Sequence, residues 1–389
     1  MRSYSQEPFQ EFRVRRRADS CGRCVITTLS GRDLSSELAQ TWRVLQARNS
    51  SLAAPYFCPE FTAAVAAVRP DVRIALKEER GSIVAFFPYQ KQGRSGRPVG
   101  GLVSDFQGVI AAPDLELDVP AMLRACGLHA FDFDHMLASQ SGFAPFASEF
   151  ELSPKIDLSA GFAAYVAERR AAGSEQIKKC GNLMRRMERE IGPVRFVEQS
   201  RDARLLRRLM EWKSAQYIRT GQRDIFSLDW VRGLVERIHV TEDRAFAGCL
   251  SLLYAGDMLV AAHFGMRTQS VWHYWFPGYD KRFGKYSPGL LLLLKMAEQA
   301  PIIGIKTIEL GKGMSLYKER LMNGRTVLCR GAVELPSMLK VKRSIGRRVW
   351  SLARAIVLKV KPARRLLQPR LRRTAVIERM RFGADRLTN

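Results

Sequence analysis

Residues 272–300 read WHYWFPGYDKRFGKYSPGLLLLLKMAEQA, which joins an aromatic run, a basic loop and an apolar run. The aromatic run predicts a strand that ends at Phe276 or Pro277. The apolar run predicts a helix that begins around Pro288-Gly289, because proline suits the first helical turn. Ser287 then occupies the N-cap position, where its hydroxyl can accept a hydrogen bond from an orphan backbone N–H. The stretch therefore predicts a strand, a loop and a helix in immediate succession.

The loop of this unit has the composition of an anion-binding site. Lys281, Arg282 and Lys285 precede the helix, whose open N–H groups and positive dipole end attract negative charge. Gly284 and Gly289 carry no Cβ, so a phosphate can approach the backbone closely. A well-capped surface helix after a basic loop would have the same composition, and both interpretations remain open at this point.

The residues around this unit predict a mixed α/β half that contains an antiparallel meander. Short loops at Ala255-Gly256 and Thr268-Gln269 join the three strands of the meander. The predicted elements are helical segments at 159–191 broken near Gly173, a strand at 194–198, helices at 203–219 and 228–239, strands at 245–254, 257–267 and 270–276, a helix at 289–300, a strand at 306–310, a short helix at 314–321 and a last strand at 326–334.

The preceding residues follow the same theme of helices, a strand pair with a tight turn, a loop, a helix and a strand. The predicted elements are a strand at 24–29, a helix capped by Asp33 with Leu34, Leu38, Trp42 and Leu45 on one face, a helix at 59–68, strands at 72–79 and 83–89, a helix near 119–126 and a strand near 129–133. We interpret the halves as structural repeats of which only the second retains a functional loop. The predicted division is a disordered basic arm at 1–23, a first domain at 24–157, a second domain at 158–336 and a basic tail at 337–389.

Composition favours an ordinary globular protein in the cytoplasm. The chain has 389 residues, of which 46% are hydrophobic and 26% charged, which suits two compact domains. No window approaches the roughly 20 apolar residues of a membrane span, and the N-terminus has no apolar signal segment. The seven cysteines are scattered and odd in number, which predicts reduced thiols. Cys21 and Cys24 form a CxxC, but no second Cys or His pair lies at zinc spacing.

The positive charge is concentrated in the C-terminal tail. Residues 338–389 hold 16 Lys/Arg and 2 Asp/Glu, which is +14 of the total net charge of +25. An amphipathic helix is predicted over 338–361. Its apolar face would carry Val341, Ile345, Val349, Leu352, Ile356 and Val360, and its basic face Lys340, Arg343, Arg347, Arg354 and Lys361. Such a helix suits an anionic membrane surface, and the alternatives are packing on its own body or a partner, and nucleic acid.

Several motifs in one order resemble a known family. They are Ala-Ala-His-Phe-Gly at 261–265, His-Tyr-Trp at 273–275, Tyr-Ser-Pro-Gly at 286–289 and the run IELGKGMSLYKERL at 308–321. Together they resemble the GNAT-superfamily acyltransferases of the CelD-like branch, associated with cellulose and exopolysaccharide biosynthesis. The similarity covers about 160–330 and, more weakly, 40–110. The arrangement is also similar to the Fem-type peptidoglycan aminoacyltransferases, which are tandem GNAT folds and whose motif near the end of the second domain is matched by Tyr317-Lys318.

The resemblance implies an α+β fold of tandem GNAT-like domains, with mixed, mostly antiparallel sheets flanked by helices. It also implies acetyl-CoA or another acyl-CoA as the donor, and no metal. The strand before the Tyr-Ser-Pro-Gly motif and the helix after it would clasp this donor. The usual GNAT phosphate signature, Q/R-x-x-G-x-G/A, is absent, and Lys281 to Gly289 stands in its place. The donor-binding residues are therefore expected to be Lys281, Arg282, Gly284, Lys285, Tyr286, Ser287, Gly289 and Leu290.

Acyl transfer from a thioester needs a base for the acceptor, donors that polarise the carbonyl and an acid for the leaving thiolate. His263, on the middle strand of the meander, is a candidate base because an imidazole titrates near neutral pH. Glu309, an acid on a short apolar strand, is a candidate base or orienting group, since acids are seldom buried without a partner or a purpose. The alternatives are a hydrogen-bonded core histidine and an ion pair with a lysine such as Lys312.

Two further catalytic candidates follow from the resemblance. Tyr317 stands where many GNAT proteins carry a tyrosine that protonates the coenzyme A thiolate. Lys318 is a candidate for stabilising the oxyanion or for contacting phosphate. The alternatives are a half-buried packing tyrosine and a solvated helix lysine.

The acceptor side is expected on the helix over 203–219 and on the aromatic strand, with a contribution from the basic segment before them. The candidate substrate-binding residues are Lys178, Trp212, Lys213, Tyr217, His273 and Tyr274, and packing or solvated surface charge is the alternative for each. The predicted function is acyl transfer to an amine or hydroxyl acceptor, on a sugar or a cell-envelope precursor. The alternatives are a Fem-like transferase that uses aminoacyl-tRNA, which would be the reason to expect nucleic acid, and an inactive GNAT-fold adaptor of a polysaccharide-synthesis complex. The expected location is the cytoplasm, with peripheral attachment to the inner face of the membrane through the tail.

Overall fold

The computed structural model describes residues 17–18, 24–338, 340 and 343. The predicted disordered arm lies outside these residues except for Arg17–Ala18, which pair with residues 25–26 as a short strand. Cys21 of the CxxC and most of the basic tail also lie outside them. Cys58, Cys126, Cys180, Cys249 and Cys329 are single buried thiols.

The first half of the chain contains eight strands and three α-helices among the described residues. They are β1 (Arg17–Ala18), β2 (Cys24–Ser30), α1 (Ser36–Ala47), α2 (Pro59–Val68), β3 (Val72–Glu79), β4 (Ser82–Gln92), β5 (Ser95–Pro98), β6 (Ile110–Ala111), α3 (Val119–Ala125), β7 (Ala130–Leu137) and β8 (Ala147–Asp157). The helix predicted after Asp33 begins later, because the side chain of Ser35 accepts a hydrogen bond from the Leu38 N–H and caps α1.

The second half continues with six strands and six α-helices in the described part of the chain. They are α4 (Phe162–Ala171), α5 (Gln176–Glu190), β9 (Val194–Val197), α6 (Ala203–Arg219), α7 (Asp229–His239), β10 (Ala247–Ala255), β11 (Met258–Arg267), β12 (Val271–Tyr279), α8 (Pro288–Gln299), β13 (Thr307–Glu309), α9 (Leu316–Leu321) and β14 (Gly324–Glu334). The predicted meander is confirmed, although β12 extends beyond the predicted end at Phe276 or Pro277.

All the strands form one mixed sheet in the order β1-β2-β3-β4-β5-β7-β14-β8-β13-β12-β11-β10-β9, with β6 beside β4. Two strand pairs are parallel, β5 with β7 and β12 with β13, and the other strand pairs of the described chain are antiparallel. The α+β fold class expected from the sequence is therefore confirmed.

The halves exchange their final strands. β8, the last strand of the first half, pairs with β13 of the second half, and β14, the last strand of the second half, pairs with β7 of the first. β8 and β14 also pair with each other along their length. The two halves therefore share one continuous sheet.

Helices cover both faces of this sheet and define three apolar cores. One core lies on the face that α1, α2, α6 and α7 cover, and it contains side chains from both halves, such as Trp42 and Leu234. On the opposite face, α4, α5 and α8 enclose the core of the second half, and α3 encloses that of the first half. We name the two faces after the expectations from the sequence: the face under α6 and α7 is called the acceptor face, and the face under α5 and α8 is called the donor face.

The start of the tail packs on the body of the protein. Arg343, which the sequence places on the basic face of an amphipathic helix, is only 8% exposed. Its guanidinium forms ion pairs with Asp132 on β7 and Glu334 on β14. The interpretation that the tail packs on its own body therefore holds at this residue. Met338 and Lys340 of the predicted helix are exposed, and its other residues lie outside the described part of the chain.

Candidate functional site

The second half contains a fork between two parallel strands. β12 and β13 pair only over Val271–His273 and Thr307–Glu309, and β12 then continues to Tyr279 without a neighbouring strand on that side in the described chain. We call the point where they separate the open fork. An unpaired strand edge presents backbone N–H and C=O groups to an extended ligand. His273 and Glu309 form the last pair before the strands separate.

The loop after β12 lies at the far end of the open fork. Residues Lys281–Tyr286 form a 3-10 helix that Asp280 caps, and α8 follows directly. Cβ atoms built on Gly284 and Gly289 would meet only the ring of Tyr279, at 3.9 and 3.8 Å. The surface above both glycines is therefore accessible, as a phosphate site requires.

The details of this loop correct one part of the sequence prediction. Ser287 does not cap α8 through its side chain, because its backbone lies in the left-handed region with φ of 54°. Arg282 is held by Asp280, with its Nη2 2.7 Å from Oδ2. Lys281 is exposed and forms no ion pair with a described residue. The buried Tyr286 and the half-buried Leu290 face the core of the donor face.

The carboxylate of Glu190 lies beside the same loop. It accepts hydrogen bonds from the Lys285 ammonium at 2.9 Å and the Tyr286 hydroxyl at 2.6 Å. Hydrogen bonds from Tyr286, Arg186 and Lys285 lower the pKa of Glu190 to about 2. Lys285, a predicted donor-binding residue, is thus paired with Glu190.

The corresponding fork of the first half is filled by the chain itself. β5 and β7 pair in parallel only through Ser95-Gly96 and Ala130-Phe131. The segment after β5 then returns, and Gln107 forms a parallel bridge with Met136 of β7. The side-chain oxygen of Gln107 accepts hydrogen bonds from the N–H groups of Asp134 and His135, and its amide nitrogen donates one to the Asp134 carboxylate. We call this region the filled fork.

The segment that fills this fork carries Asp105 into the open fork. The Asp105 Oδ2 lies 3.0 Å from the His273 Nε2. A Cβ built on Gly311, two residues after β13, would lie 2.8 Å from the same oxygen. Asp105 therefore lies on the acceptor face, between β12 and the chain that leaves β13. Asp105 is not among the residues that the sequence predicts, since nothing local distinguishes this aspartate from other loop carboxylates.

Glu309 is the buried acid of the open fork. It is 6% exposed, and its Oε2 has no hydrogen-bond partner among the described residues. Burial raises the pKa of Glu309 to about 7, although Lys155 and Thr326 oppose the shift. Lys312, the lysine of the alternative ion pair, places its ammonium 2.6 Å from the Asp134 carbonyl and 3.4 Å from Glu151. A carboxyl group that titrates near neutral pH can accept a proton in a reaction.

The donor face of the fork carries two tyrosines. Tyr274, next to His273 on β12, points to the opposite face and donates a hydrogen bond to the Gly289 carbonyl at 3.1 Å. Burial raises the pKa of Tyr274 well above its ordinary value, and the nearby Tyr317 adds to the shift. Burial also raises the pKa of Tyr317, which lies on α9. Tyr274 is thus placed on the donor side of the sheet, not with the other predicted acceptor-binding residues.

Lys318 stabilises a turn of the backbone. Its ammonium donates hydrogen bonds to the carbonyl oxygens of Gly311, Lys312 and Gly313, at 2.9, 3.3 and 3.2 Å. These bonds stabilise the turn after β13, where Gly311 and Gly313 have positive φ. Burial lowers the pKa of Lys318 against the opposing charge of Asp105. The geometry favours this support of the turn over the predicted contact with an oxyanion or phosphate.

His263 lies in the core of the donor face and does not face the acceptor side. Its ring stacks on Tyr274 with centroids 4.6 Å apart, and its Nε2 accepts a hydrogen bond from the Trp275 N–H at 3.1 Å. Burial lowers the pKa of His263 to about 3. The imidazole is neutral and its Nε2 lone pair is occupied, so this placement argues against the predicted role as a base.

Helix α6 contributes a wall to the acceptor face. Lys213 is 7% exposed, burial lowers its pKa to about 8, and its ammonium lies 4.8 Å from the centre of the Tyr217 ring. Burial raises the pKa of Tyr217, and the charge of Asp105 contributes to this shift. Trp212 packs against the core shared by both halves. The structure therefore brings Lys213, Tyr217 and His273 to the face that carries Asp105.

Lys178 is separated from this group. It is exposed on α5, which packs on α8, α9 and the 281–286 turn on the donor face. The prediction that Lys178 lines the acceptor site together with α6 is therefore not supported by the arrangement of the helices.

Comparison with known proteins agrees with this geometry. Residues 174–319 match a family model described as an acetyltransferase (GNAT) domain. This match lies in the second half of the chain and covers the open fork, its basic loop and the first residues of α9. A search of curated proteins finds no significant match.

Solved structures resemble this chain over most of its length. The C-terminal domain (DUF2156) of a putative lysylphosphatidylglycerol synthetase from Agrobacterium fabrum has 12% identity, covers 78% of this chain and 93% of its own, and gives a TM-score of 0.50. A tandem GNAT protein from the clavulanic acid biosynthesis pathway gives 12% identity, 81% and 99% coverage and a TM-score of 0.47. FemX gives 10% identity, 70% and 90% coverage and a TM-score of 0.49. At these identities the likeness concerns the fold alone.

A metal-binding cluster and a membrane-spanning helix are both absent from the described residues. No group of three or more His, Cys, Asp or Glu side chains there is arranged to hold a metal ion. None of the helices in the same part of the chain has the length and apolar character to cross a membrane.

Proposed function

We propose that this protein transfers an acetyl or related acyl group from acyl-CoA to an amine or hydroxyl acceptor in a ternary complex. The observation that carries the proposal is the open fork, where β12 leaves an unpaired edge that ends at the accessible glycines of the basic loop. The amides of an extended pantetheine chain suit such an edge, and Lys281 with the backbone beside Gly284 and Gly289 suits a diphosphate.

In this proposal the reacting carbonyl lies where β12 and β13 separate. The acceptor attacks from the acceptor face, so a bond forms from its nitrogen or oxygen to the carbonyl carbon as the bond to sulfur breaks. Glu309 accepts the proton of the acceptor, because its carboxyl titrates near neutral pH. Tyr317, on the donor face, gives its proton to the departing thiolate.

We extend the proposal to a sugar or cell-envelope precursor as the acceptor, as in the exopolysaccharide-associated branch that the motifs resemble. The support is that resemblance, together with an acceptor face rich in polar groups. Fem-like use of aminoacyl-tRNA and a catalytically inactive adaptor are the competing functions, and binding of acetyl-CoA separates them from acyl-CoA transfer.

The test uses the full chain and acetyl-CoA. Calorimetry should detect binding, and the melting temperature should rise with ligand concentration as mass action requires. Free thiol should then appear on addition of an acceptor. Absence of both binding and a melting shift would remove the acyl-CoA proposal and favour an aminoacyl-tRNA user or an adaptor.

The basic tail is proposed to attach this enzyme to the inner face of an anionic membrane. Because Arg343 is bound to the body, the truncation that tests this should remove residues 344–389 only. Binding to vesicles of anionic lipid should fall strongly and acetyl-CoA binding should remain. Unchanged vesicle binding by the truncated protein would contradict the attachment.

A further inference from the structure

A carboxylate of the first half completes the open fork of the second. Asp105 and His273 are 168 residues apart in sequence, yet their side chains are 3.0 Å apart at the last pair of β12 and β13. The turn at Gly311 closes around the same carboxylate, since a Cβ on this glycine would lie 2.8 Å from the Asp105 Oδ2. Asp105 is therefore adjacent to the position that the proposed function assigns to the thioester carbonyl.

The surroundings of Asp105 keep it ionised and leave one oxygen accessible. Burial raises the pKa of Asp105, but the hydrogen bond from His273 and the charges of His273, His135 and Lys318 outweigh it, so this pKa lies below its ordinary value. The Asp105 side chain is 28% exposed, and its Oδ1 lies 3.9 Å from the His135 Nε2, beyond hydrogen-bond distance. A second polar atom is also unsatisfied there, the Oε2 of the 6% exposed Glu309.

Aromatic rings lie beside the His273–Asp105 pair on the acceptor face. The Tyr56 ring contacts the His273 imidazole edge-on with centroids 4.9 Å apart, and Phe106 contacts the same imidazole at 6.1 Å. Tyr217 of α6 lies close enough for Asp105 to affect its titration. An anion beside aromatic rings is an environment that attracts an organic cation.

The geometry points to Asp105 as the residue that binds the nucleophilic amine of the acceptor, which reaches the site as a primary ammonium group. This inference rests on the proposed function and selects amine over hydroxyl as the acceptor class. A hydroxyl acceptor would need a neighbouring base of high proton affinity, whereas an ionised carboxylate fixed by histidine suits a cation. His273 acts as a positioning residue, because its Nε2 holds the Asp105 carboxylate.

The proton count of this reaction balances. An ammonium nitrogen carries three protons and the amide product carries one. One of the two lost protons goes to the Glu309 carboxylate, and the other replaces the proton that Tyr317 gives to sulfur. The carbon–nitrogen bond forms and the carbon–sulfur bond breaks, with free thiol and amide as products.

The test compares Asp105→Asn with the wild type, using acetyl-CoA and a probe panel of primary amines (glucosamine, putrescine and lysine methyl ester) and hydroxyl compounds (glucose and ethylene glycol). We expect thiol release with amines only. In Asp105→Asn, kcat/KM for the amine should fall about 30-fold, mostly through KM, because one charge-assisted hydrogen bond is lost. The Kd for acetyl-CoA should stay within about twofold. Asp71→Asn is the matched control, since Arg69 and Gln90 fix that carboxylate within the first half.

The other outcomes distinguish failure of the amine assignment, of the role of Asp105 and of the proposed function. Thiol release with hydroxyl compounds only, or none with any amine while acetyl-CoA binds, overturns the amine assignment. Unchanged amine KM in a folded Asp105→Asn variant overturns the role of Asp105. His273→Gln keeps an N–H donor and should retain more amine affinity than His273→Ala, which a merely structural role of Asp105 would not produce. If the wild type fails to bind acetyl-CoA, the proposed function fails alone, and stabilisation of wild type but not Asp105→Asn by the amines still tests Asp105.

Discussion

The open fork and the filled fork each consist of two parallel strands that separate after a short pairing. In the filled fork the chain itself occupies the space between the strands, and in the open fork no described strand does. In the filled fork the last parallel pair is Gly96 and Phe131, and the chain between 105 and 111 occupies the space beyond it. In the open fork the corresponding pair is His273 and Glu309, and beyond it no described strand pairs with this edge of β12. Under the proposed function, the half with the open fork binds the ligand there, whereas the half with the filled fork uses the same space for internal hydrogen bonds. The segment that fills the first fork also delivers Asp105 to the second.

The largest expected effect concerns the leaving group in the open fork. Tyr317→Phe should lower kcat by about 100-fold, because the departing thiolate loses its proton donor. The Kd for acetyl-CoA should not change, since the ring remains in place. Calorimetry and thiol release measure the two quantities on the same sample. A loss of binding with unchanged kcat would place Tyr317 in the binding surface instead.

The acid of the open fork should affect stability as well as activity. Burial raises the pKa of Glu309 to about 7 from its ordinary 4.5, so the folded state binds this proton more tightly than the unfolded state. The resulting stability is complete below about pH 4.5 and is lost as the pH rises to about 7. Glu309→Gln should remove this loss, which is about 3 kcal/mol.

The measurement for Glu309 is the melting temperature of both proteins from pH 4 to 9. The wild type should lose stability relative to Glu309→Gln across the interval. Glu149→Gln, at an exposed position of β8, is the surface control. Parallel curves for wild type and Glu309→Gln would contradict the shift, because they would show that Glu309 has the same pKa in the folded and the unfolded protein.

Within the filled fork, Gln107 should contribute to stability. Gln107→Leu removes the acceptor of the Asp134 and His135 N–H groups, which lie at 3.0 and 2.9 Å. Two N–H groups would lose their partner, so we expect a loss of about 2 kcal/mol in the free energy of unfolding. Denaturant titration measures it, with the exposed Gln222→Leu as the control. An unchanged midpoint would mean that water enters this fork.

The smallest effects come from the same substitution in both forks. Gly108→Ala would bring a Cβ to 2.8 Å from the Gln140 Nε2 and 3.1 Å from Phe57, and should cost about 1 kcal/mol of stability. Gly289→Ala meets only Tyr279 at 3.8 Å, so the protein should keep its stability and lose about tenfold in acetyl-CoA affinity. Equal behaviour of the two variants would remove the distinction between the forks.

Local patterns were sufficient to predict most elements. Helices α2 and α6 begin and end at the predicted residues, because apolar periodicity and end signals agree; Asp202, for instance, caps α6 through a hydrogen bond to the Arg204 N–H. β8 was not predicted, since Glu149, Glu151, Pro154 and Lys155 have low strand propensity. Its conformation depends on pairing with β13 and β14, which no local window contains.

The sequence predicts only those parts of the site whose residues are neighbours in the chain. The loop at 281–289 and the acid at 309 are sequence features, and the structure places both at the open fork. The face to which His263 points could not be predicted, because alternation along a strand does not say which face is which. Asp105 could not be identified, since its meaning arises from contact with a strand far away in sequence.

The exchange of β8 and β14 has a consequence for dissection of this protein. A cut between residues 157 and 158 would give two fragments, each holding a strand that belongs in the interior of the other's sheet. Neither fragment alone would be functional, and each would present unpaired strand edges that favour aggregation. Produced together, the two fragments would have complementary strand edges and could pair with each other. Split reporter proteins use the same design.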